Sequence, residues 1–512
     1  MRDDGKSTPN LPSGWEWISI GETGDYINGF AFKPGHREPS GLPIVRIQNL
    51  TDESKPLNKT NAEVPAEYKI GTGDMLMSWS ATIDVFVWRR GPALVNQHIF
   101  KVLPDERIMS QQLLFYWLKR AIQQLQETDH LHGSTMMHIN RGPFMAHLVP
   151  LPPTAEQVRI VEKLEELLSD LDAGVAELKA AQKKLAQYRQ SLLKAAVEGA
   201  LTADWREKHK PTETGAQLLD RILTERRARW EAKQLAKFKE QGRVPPSDWR
   251  KKYPESSQPD IADLPLLPQD WVWASLDQLV AESSYGTSVK CDYESKGTPV
   301  LRIPNVSGGS LDLQGMKFST TDLGLSRDES LAVGDLLVIR TNGSIGLVGR
   351  AAAIVTELPK PHYFASYLLR LRCVESSVVH RWILTVLTSH MGRQWLESKA
   401  ASSAGQHNIS LSTLLKMPIP LSPLTEQISA LAELERSHES IRRQEQALEL
   451  SLRQSAAQRQ NILRAAFAGQ LVPQDPADES ASALLARIRA ESAARPAQGD
   501  NRARGRKKKD SP

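Results

Sequence analysis

The chain is written twice, and a repeat decides architecture before any local pattern does. Leu11–Trp17 (LPSGWEW) recurs as Leu267–Trp273 (LPQDWVW), 256 residues on. At the same spacing Leu42–Leu50 (LPIVRIQNL) matches Thr298–Val306 (TPVLRIPNV), pairing Arg46 with Arg302 and Asn49 with Asn305. Gly73–Ser78 (GDMLMS) meets Gly334–Ile339 (GDLLVI) at a spacing of 261. Pro150–Gln157 (PLPPTAEQ) meets Pro420–Gln427 (PLSPLTEQ), and Ser191–Leu201 (SLLKAAVEGAL) meets Asn461–Leu471 (NILRAAFAGQL), both at 270. Glu213–Ile222 (ETGAQLLDRI) echoes Glu479–Ile488 (ESASALLARI). Six blocks in one order imply two copies of one unit.

Each copy has two parts. Residues 11–150 and 267–420 alternate short apolar or β-branched runs with Gly, Pro and Asn turns and one helical stretch (Gln111–Gln126; Val379–Ser398), the pattern of a mixed α/β globule. Residues 151–201 and 421–471 read as long helices. Thr154-Ala-Glu-Gln157 follows two prolines and has capping-box spacing. From there Val161, Leu164, Leu168, Leu171, Val175, Leu178, Leu185 and Leu192 hold a and d positions of a heptad pattern, broken at Gln182 and Arg189. The second helix carries Leu431, Leu434, Ile441, Leu448, Leu452 and Ile462, interrupted by His438, Glu445, Ser455 and Arg459. A stripe this long needs a partner, and the equivalent helix packed antiparallel is the economical one. The fold class is therefore α+β: two mixed α/β globules joined by two long antiparallel coiled-coil helices with an internal pseudo-twofold repeat. Residues 1–10 form an N-terminal extension, 202–266 a basic linker and 472–512 a basic tail.

Composition excludes more than it assigns. The chain has 512 residues and a net charge of +5. The globular segments are neutral (−1 over 11–150, 0 over 261–420), while 201–260 carry +4 and 501–512 carry +5. The basic run RARGRKKK reads as a solvated extension. No uninterrupted apolar run reaches membrane-spanning length and the N-terminus lacks a signal-peptide core, so a cytoplasmic location is expected. Cys291 and Cys373 stand too far apart for a CxxC zinc or redox site.

A catalytic kit is missing. Gly5-Lys-Ser-Thr8 lacks the glycine and strand of a phosphate loop, and Asn342–Gly349 (NGSIGLVG) reads as a hairpin turn or ligand-facing loop rather than a cofactor loop. His130, His132, His138 and His147 have no metal-site spacing and read as incidental loop histidines. No methyltransferase tetrad, helicase motif or nuclease carboxylate cluster is present. No cofactor or metal is expected to bind this chain, and the layout suits a two-headed recognition module.

These residues resemble the specificity subunit of type I restriction-modification enzymes over about 11–500. The resemblance rests on the LP-x-x-W openings, the PLPPTAEQ and PLSPLTEQ helix starts, and the AAVEGAL and AAFAGQL helix ends. SASALLARIRAE with its lysine-rich end is most similar to the enteric-type (IA) subgroup. The resemblance implies a non-catalytic subunit with two target recognition domains, each reading one half of a split, asymmetric double-stranded DNA target. It implies two modification subunits that bind S-adenosylmethionine and methylate adenine. It also implies two restriction subunits that hydrolyse ATP with Mg²⁺, translocate and cut, with the long helices as ruler and dock.

Base reading in the major groove needs Arg for guanine and Asn or Gln for adenine. The matched Arg46/Asn49 and Arg302/Asn305 sit on a strand and its exit, where alternation sends Arg46, Gln48 and Leu50 to one face. Because both heads share them, fold support or phosphate contact weighs above base reading. Residues that differ between heads are better readers: Ser80 and Thr82 in head one, Arg340, Asn342 and Ser344 in head two, with Gln97, His98 and Lys101 as second-rank candidates that read equally well as a polar turn entering the strand HIFKV. A different reading is a coiled-coil scaffold with two protein-binding heads, which predicts no footprint on DNA. A self-contained methyltransferase or nuclease is the third, and the missing motifs argue against it.

Overall fold

A computed structural model describes residues 10–126, 138–261, 264–324, 329–375, 377–403 and 405–494. Gly5–Thr8, His130, His132 and the RARGRKKK run lie outside these residues. The chain divides into two compact units, Met1–Leu178 with Leu450–Pro512, and Lys179–Glu449.

In the first unit, head one is built on two four-stranded sheets. One is antiparallel, in the order Gly24–Asn28, Ile99–Pro104, Met75–Ser78, Asp84–Val87. The other runs Asn58–Thr60, Leu42–Val45, Ala93–Val95, Lys69–Ile70, with Leu42–Val45 parallel to Ala93–Val95. The helix Gln111–Gln126 falls where the sequence places it. Its Trp117 is fully buried and donates Nε1–H to the Pro150 carbonyl at 2.6 Å, so the one polar atom of a large apolar ring is satisfied.

Head two, in the second unit, repeats the strand order of the first sheet as Val280–Tyr285, Leu368–Cys373, Asp335–Ile339, Ala351–Ala353; its second sheet, Cys291–Asp292, Lys317–Ser319, Pro299–Leu301, Tyr363–Phe364, keeps the central antiparallel and parallel pairs but adds Cys291–Asp292 at one edge where head one has Lys69–Ile70 at the other. Trp382 donates to the Pro420 carbonyl at 2.7 Å, matching Trp117. The expected single helix over Val379–Ser398 is two, Val379–Thr388 and His390–Lys399. Ser389 is extended (ψ 162°) and caps the second helix by accepting from Gly392 N–H, which breaks the first.

The long helices span Thr154–Val197 and Leu424–Phe467. The expected capping box does not form. Thr154 is the first helical residue, so a proline without an N–H precedes it, and the Gln157 carboxamide donates instead to the carbonyls of Pro152 (3.1 Å) and Ile108 (2.9 Å). In the first unit Leu164 and Leu168 bury with Ile462, Leu463 and Ala466, and Asp172 pairs with Arg459. In the second, Leu192, Leu193 and Ala196 bury with Leu434 and Ile441, and Arg189 pairs with Glu445 at 3.0 Å. Within each unit the two helical segments run antiparallel. The interrupting residues Glu445, Arg189 and Arg459 form interhelical ion pairs rather than gaps.

The repeat blocks converge at one knot in each unit. Trp15 of LPSGW donates Nε1–H to Glu156 of TAEQ at 2.9 Å, and Trp271 of LPQDW donates to Glu426 of LTEQ at 2.9 Å. Glu156 also accepts from Gln474 (3.1 Å), and Glu426 from Thr202 (2.6 Å) and Arg206 (2.7 Å). The helix ends arrive from the other copy. Gly469 (φ +68°) packs where a Cβ would stand 2.3 Å from Pro12 Cγ, and Gly199 (φ +76°) where it would stand 2.6 Å from Pro268 Cγ. Only glycine meets both the left-handed backbone and the close approach. The sixth block closes the knot: Ala481 N–H donates to Gly14 O at 2.8 Å and Gly215 N–H to Asp270 O at 2.7 Å. Each LP-x-x-W thus binds the helix start of its own copy and the helix end of the other.

The segment read as a basic linker holds the helix Gly215–Glu240, whose Leu218 and Ile222 are buried in the head-two core. Trp230 stacks on Trp249 at 5.8 Å between centroids, folding 249–253 back onto this helix. In the segment read as a tail, Ala481–Ala494 is helical. No helix among the described residues is long and apolar enough to cross a membrane.

Candidate nucleic-acid interface

The shared Arg-x-x-Asn element is a support. The strand ends at Val45, and Ile47–Thr51 is a short helix, so the alternation expected for Arg46, Gln48 and Leu50 does not apply. Asn49 is buried; its Oδ1 accepts from Arg46 N–H at 3.1 Å and its Nδ2 donates to Lys55 O and Pro56 O. Asn305 does the same with Arg302 N–H (2.9 Å), Asp312 O and Gln314 O. Both carboxamides are consumed by their own loops, which leaves no free edge for a base. Arg302 donates to Gly315 O at 2.9 Å, and Arg46 is half-buried at the equivalent helix start.

The GD turns set the strands that lead to the variable residues. Asp74 accepts from Gly71 N–H and Asp335 from Ala332 N–H, both at 2.9 Å. Asp335 is also gripped bidentately by Arg372 at 2.7 and 2.8 Å. Burial, with Arg372 beside it, holds the neighbouring Arg370 guanidinium below its ordinary range, against the pull of Asp335 and Glu282.

Beyond each GD strand the backbone makes one identical frame. In head one, Trp79 N–H donates to His98 O (3.3 Å) and Ile139 N–H donates to Trp79 O (3.1 Å). In head two, Arg340 N–H donates to Tyr367 O and Ile409 N–H to Arg340 O, both at 2.9 Å. Sheet register completes the equivalence: Asn28 pairs with Phe100 and Tyr285 with Leu369, the same place on the first strand. Asn28, Trp79, Gln97, His98 and His138 in head one therefore stand where Tyr285, Arg340, Ser366, Tyr367 and Asn408 stand in head two.

The side chains on that frame differ throughout. Trp79 donates Nε1–H to Asn28 Oδ1 at 3.0 Å, and its ring lies 5.1 Å from His98 and 6.1 Å from His138. Gln97 Nε2 lies 3.2 Å from His98 Nε2. Ser80 is buried and bridges to His138, Ala81 takes the left-handed conformation (φ +59°), and Thr82 is exposed at the turn. A non-glycine residue there costs about 1–2 kcal/mol, strain typical of functional loops. In head two, Arg340 lies over the Tyr285 ring at 4.9 Å with Nε 3.4 Å from Asn408 Oδ1. Asn342 pairs with His407 in a small sheet, its Oδ1 accepting from Ser344 N–H, which leaves Ser344 exposed. The Nδ1 atoms of His98, His138 and His407 are buried without hydrogen-bond partners among the described residues.

The structure thus gathers Ser80, Thr82, Gln97 and His98 at one place in head one and Arg340, Asn342 and Ser344 at the matching place in head two. It separates all of them from the role of Asn49 and Asn305. Trp79 stands opposite Arg340 by the GD spacing of 261 alone, whereas the equivalences of Asn28 with Tyr285, His98 with Tyr367 and His138 with Asn408 emerge only from the hydrogen-bonding register. Among the described residues, no cluster of His, Cys, Asp and Glu has metal-holding geometry.

Two heads with one backbone frame and unlike side chains make this a duplicated chain. The type I restriction modification DNA specificity domain matches residues 12–180. The chain is 24% identical over 508 residues to the type I restriction enzyme EcoBI specificity subunit of Escherichia coli, covering 95% of this chain and 94% of that one. It is 23% identical over 504 residues to the StySPI specificity subunit of Salmonella potsdam, covering 94% and 96%. In fold it matches a chain solved in work on "complex assembly and conformational transition of the type I R-M system", with a TM-score of 0.61, 17% identity, and coverage of 90% and 100%. Over nearly its whole length the chain is thus similar to specificity subunits of type I restriction-modification systems.

Proposed function

We propose that this subunit recognises a split, asymmetric double-stranded DNA target, each head reading one half-site through its variable cluster. The observation that carries this reading is the pair of identically hydrogen-bonded backbone frames bearing different side chains within one chain. A fixed scaffold with exchanged donors and acceptors is what two unlike half-sites require. The subunit directs adenine methylation and ATP-dependent cleavage without catalysing either. Two modification subunits supply S-adenosylmethionine chemistry and two restriction subunits supply ATP, Mg²⁺ and cutting, in the cytoplasm. Membership of the enteric subgroup is part of the same reading. The long helices, half-buried in their middle turns at Leu171, Val175, Leu448 and Leu452, leave apolar stripe for the modification partners.

Mapping methylated adenines in the host genome tests this. An interrupted two-part motif is expected that disappears when the gene is deleted. An unchanged map in an expressed system refutes it and returns the scaffold reading, under which the assembled complex leaves no footprint.

A further inference from the structure

We propose that Arg340 reads a guanine in the half-site addressed by head two, an inference that rests on the DNA-recognition reading above. Its guanidinium is braced by two neighbours and its backbone is pinned. The Tyr285 ring lies under it at 4.9 Å, Asn408 Oδ1 stands 3.4 Å from Nε, and the backbone is pinned through Tyr367 O and Ile409 N–H, both at 2.9 Å. Among the described residues this side chain hydrogen-bonds through Nε, and neither Nη1 nor Nη2 has a partner. The two-pronged end of the fork is left unengaged on a half-buried residue.

A fork of two N–H donors fits the O6 and N7 acceptors that guanine alone presents together in the major groove; adenine offers a donor at one of these places. Stacking and the asparagine brace fix the plane beforehand, so less rotamer entropy is lost on binding. Head one has no such fork. Trp79 occupies the matching position and its single N–H is already given to Asn28. The two half-sites therefore differ at this place, with the arginine-read guanine in one only. Tyr285 is a positioning residue here: it supports the guanidinium and needs only its ring to do so.

The test uses the complex assembled with its partner subunits and duplexes altered one base pair at a time from the target found by methylation mapping. For the unmodified complex, replacing one guanine of the second half-site is expected to weaken binding about 5- to 150-fold. In R340A and R340K that penalty disappears at that position, while penalties across the first half-site persist and certify folding and assembly. Y285A reduces the same penalty and Y285F preserves it. Penalties unchanged at every position in both arginine variants overturn the proposal. So does a uniform weakening on all duplexes, the signature of a phosphate contact. Absence of any half-site dependence in the unmodified complex instead sinks the recognition reading itself.

Discussion

Glu426→Gln and Glu156→Gln are expected to damage the two units unequally. Glu426 has 2% of its side chain exposed and receives Thr202 Oγ1, Arg206 Nε and Arg206 Nη2 on one oxygen and Trp271 Nε1 on the other. A glutamine offers one acceptor. With its oxygen kept toward Arg206, its amide opposes the Trp271 N–H and leaves a buried donor unsatisfied, at about 1–3 kcal/mol. The lost charge opposite Arg206 adds about 1 kcal/mol, kept small because that side chain is 22% exposed. The total is about 2–4 kcal/mol. Glu156 meets only the neutral donors Trp15 and Gln474. There the new amide keeps its oxygen on Trp15, and Gln474 turns its own oxygen inward, giving up its 2.7 Å bond to Gly469 O. That costs one ordinary hydrogen bond, about 1 kcal/mol. Native-state hydrogen exchange on the full chain reads both values, at Asp335–Ile339 for the second unit and Met75–Ser78 for the first. Equal losses, or a larger loss for E156Q, refute the argument that the arginine and the number of donors set the cost.

Asn49→Ala and Asn305→Ala each strand a buried backbone N–H and two loop carbonyls; a loss of about 1–3 kcal/mol by denaturant titration is expected, with the methylated motif unchanged. An altered motif contradicts the assignment of these residues to support. His438 is held below the ordinary histidine range by burial and then by Arg189 and Arg442. The unfolded chain therefore binds a proton that the folded chain refuses, and stability falls as pH drops below about 6.5. H438L, which installs the residue standing at Leu168 in the other copy, is expected to flatten that slope in melts over pH 5–8. An unaltered slope excludes His438 as its source.

The outline of the fold was legible because its signals are local or periodic. The heptad stripe marked both helices to within a few residues, the LP-x-x-W and T-x-E-Q/L-T-E-Q strings marked where copies begin, and the repeat required two heads. The presence of Asn49 and Asn305 in both copies weighs toward support, and both carboxamides bond within their own loops. The linker composition misled, since Arg- and Lys-rich residues on Gly215–Glu240 hide a buried face of only Gly215, Leu218 and Ile222.

By itself the sequence determined that the chain is duplicated and that two globules alternate with two long helices. Tertiary structure alone decided which copies of the blocks meet, and which variable residues share a site. Trp15 finds Glu156 and Gly469 because a buried indole N–H needs an acceptor and a crowded corner needs a residue without Cβ. Neither requirement leaves a periodic trace along the chain. Asn28 and Trp79, or Tyr285 and Arg340, become neighbours only through strand register, a long-range pairing set by burying the sheet rather than by any local pattern.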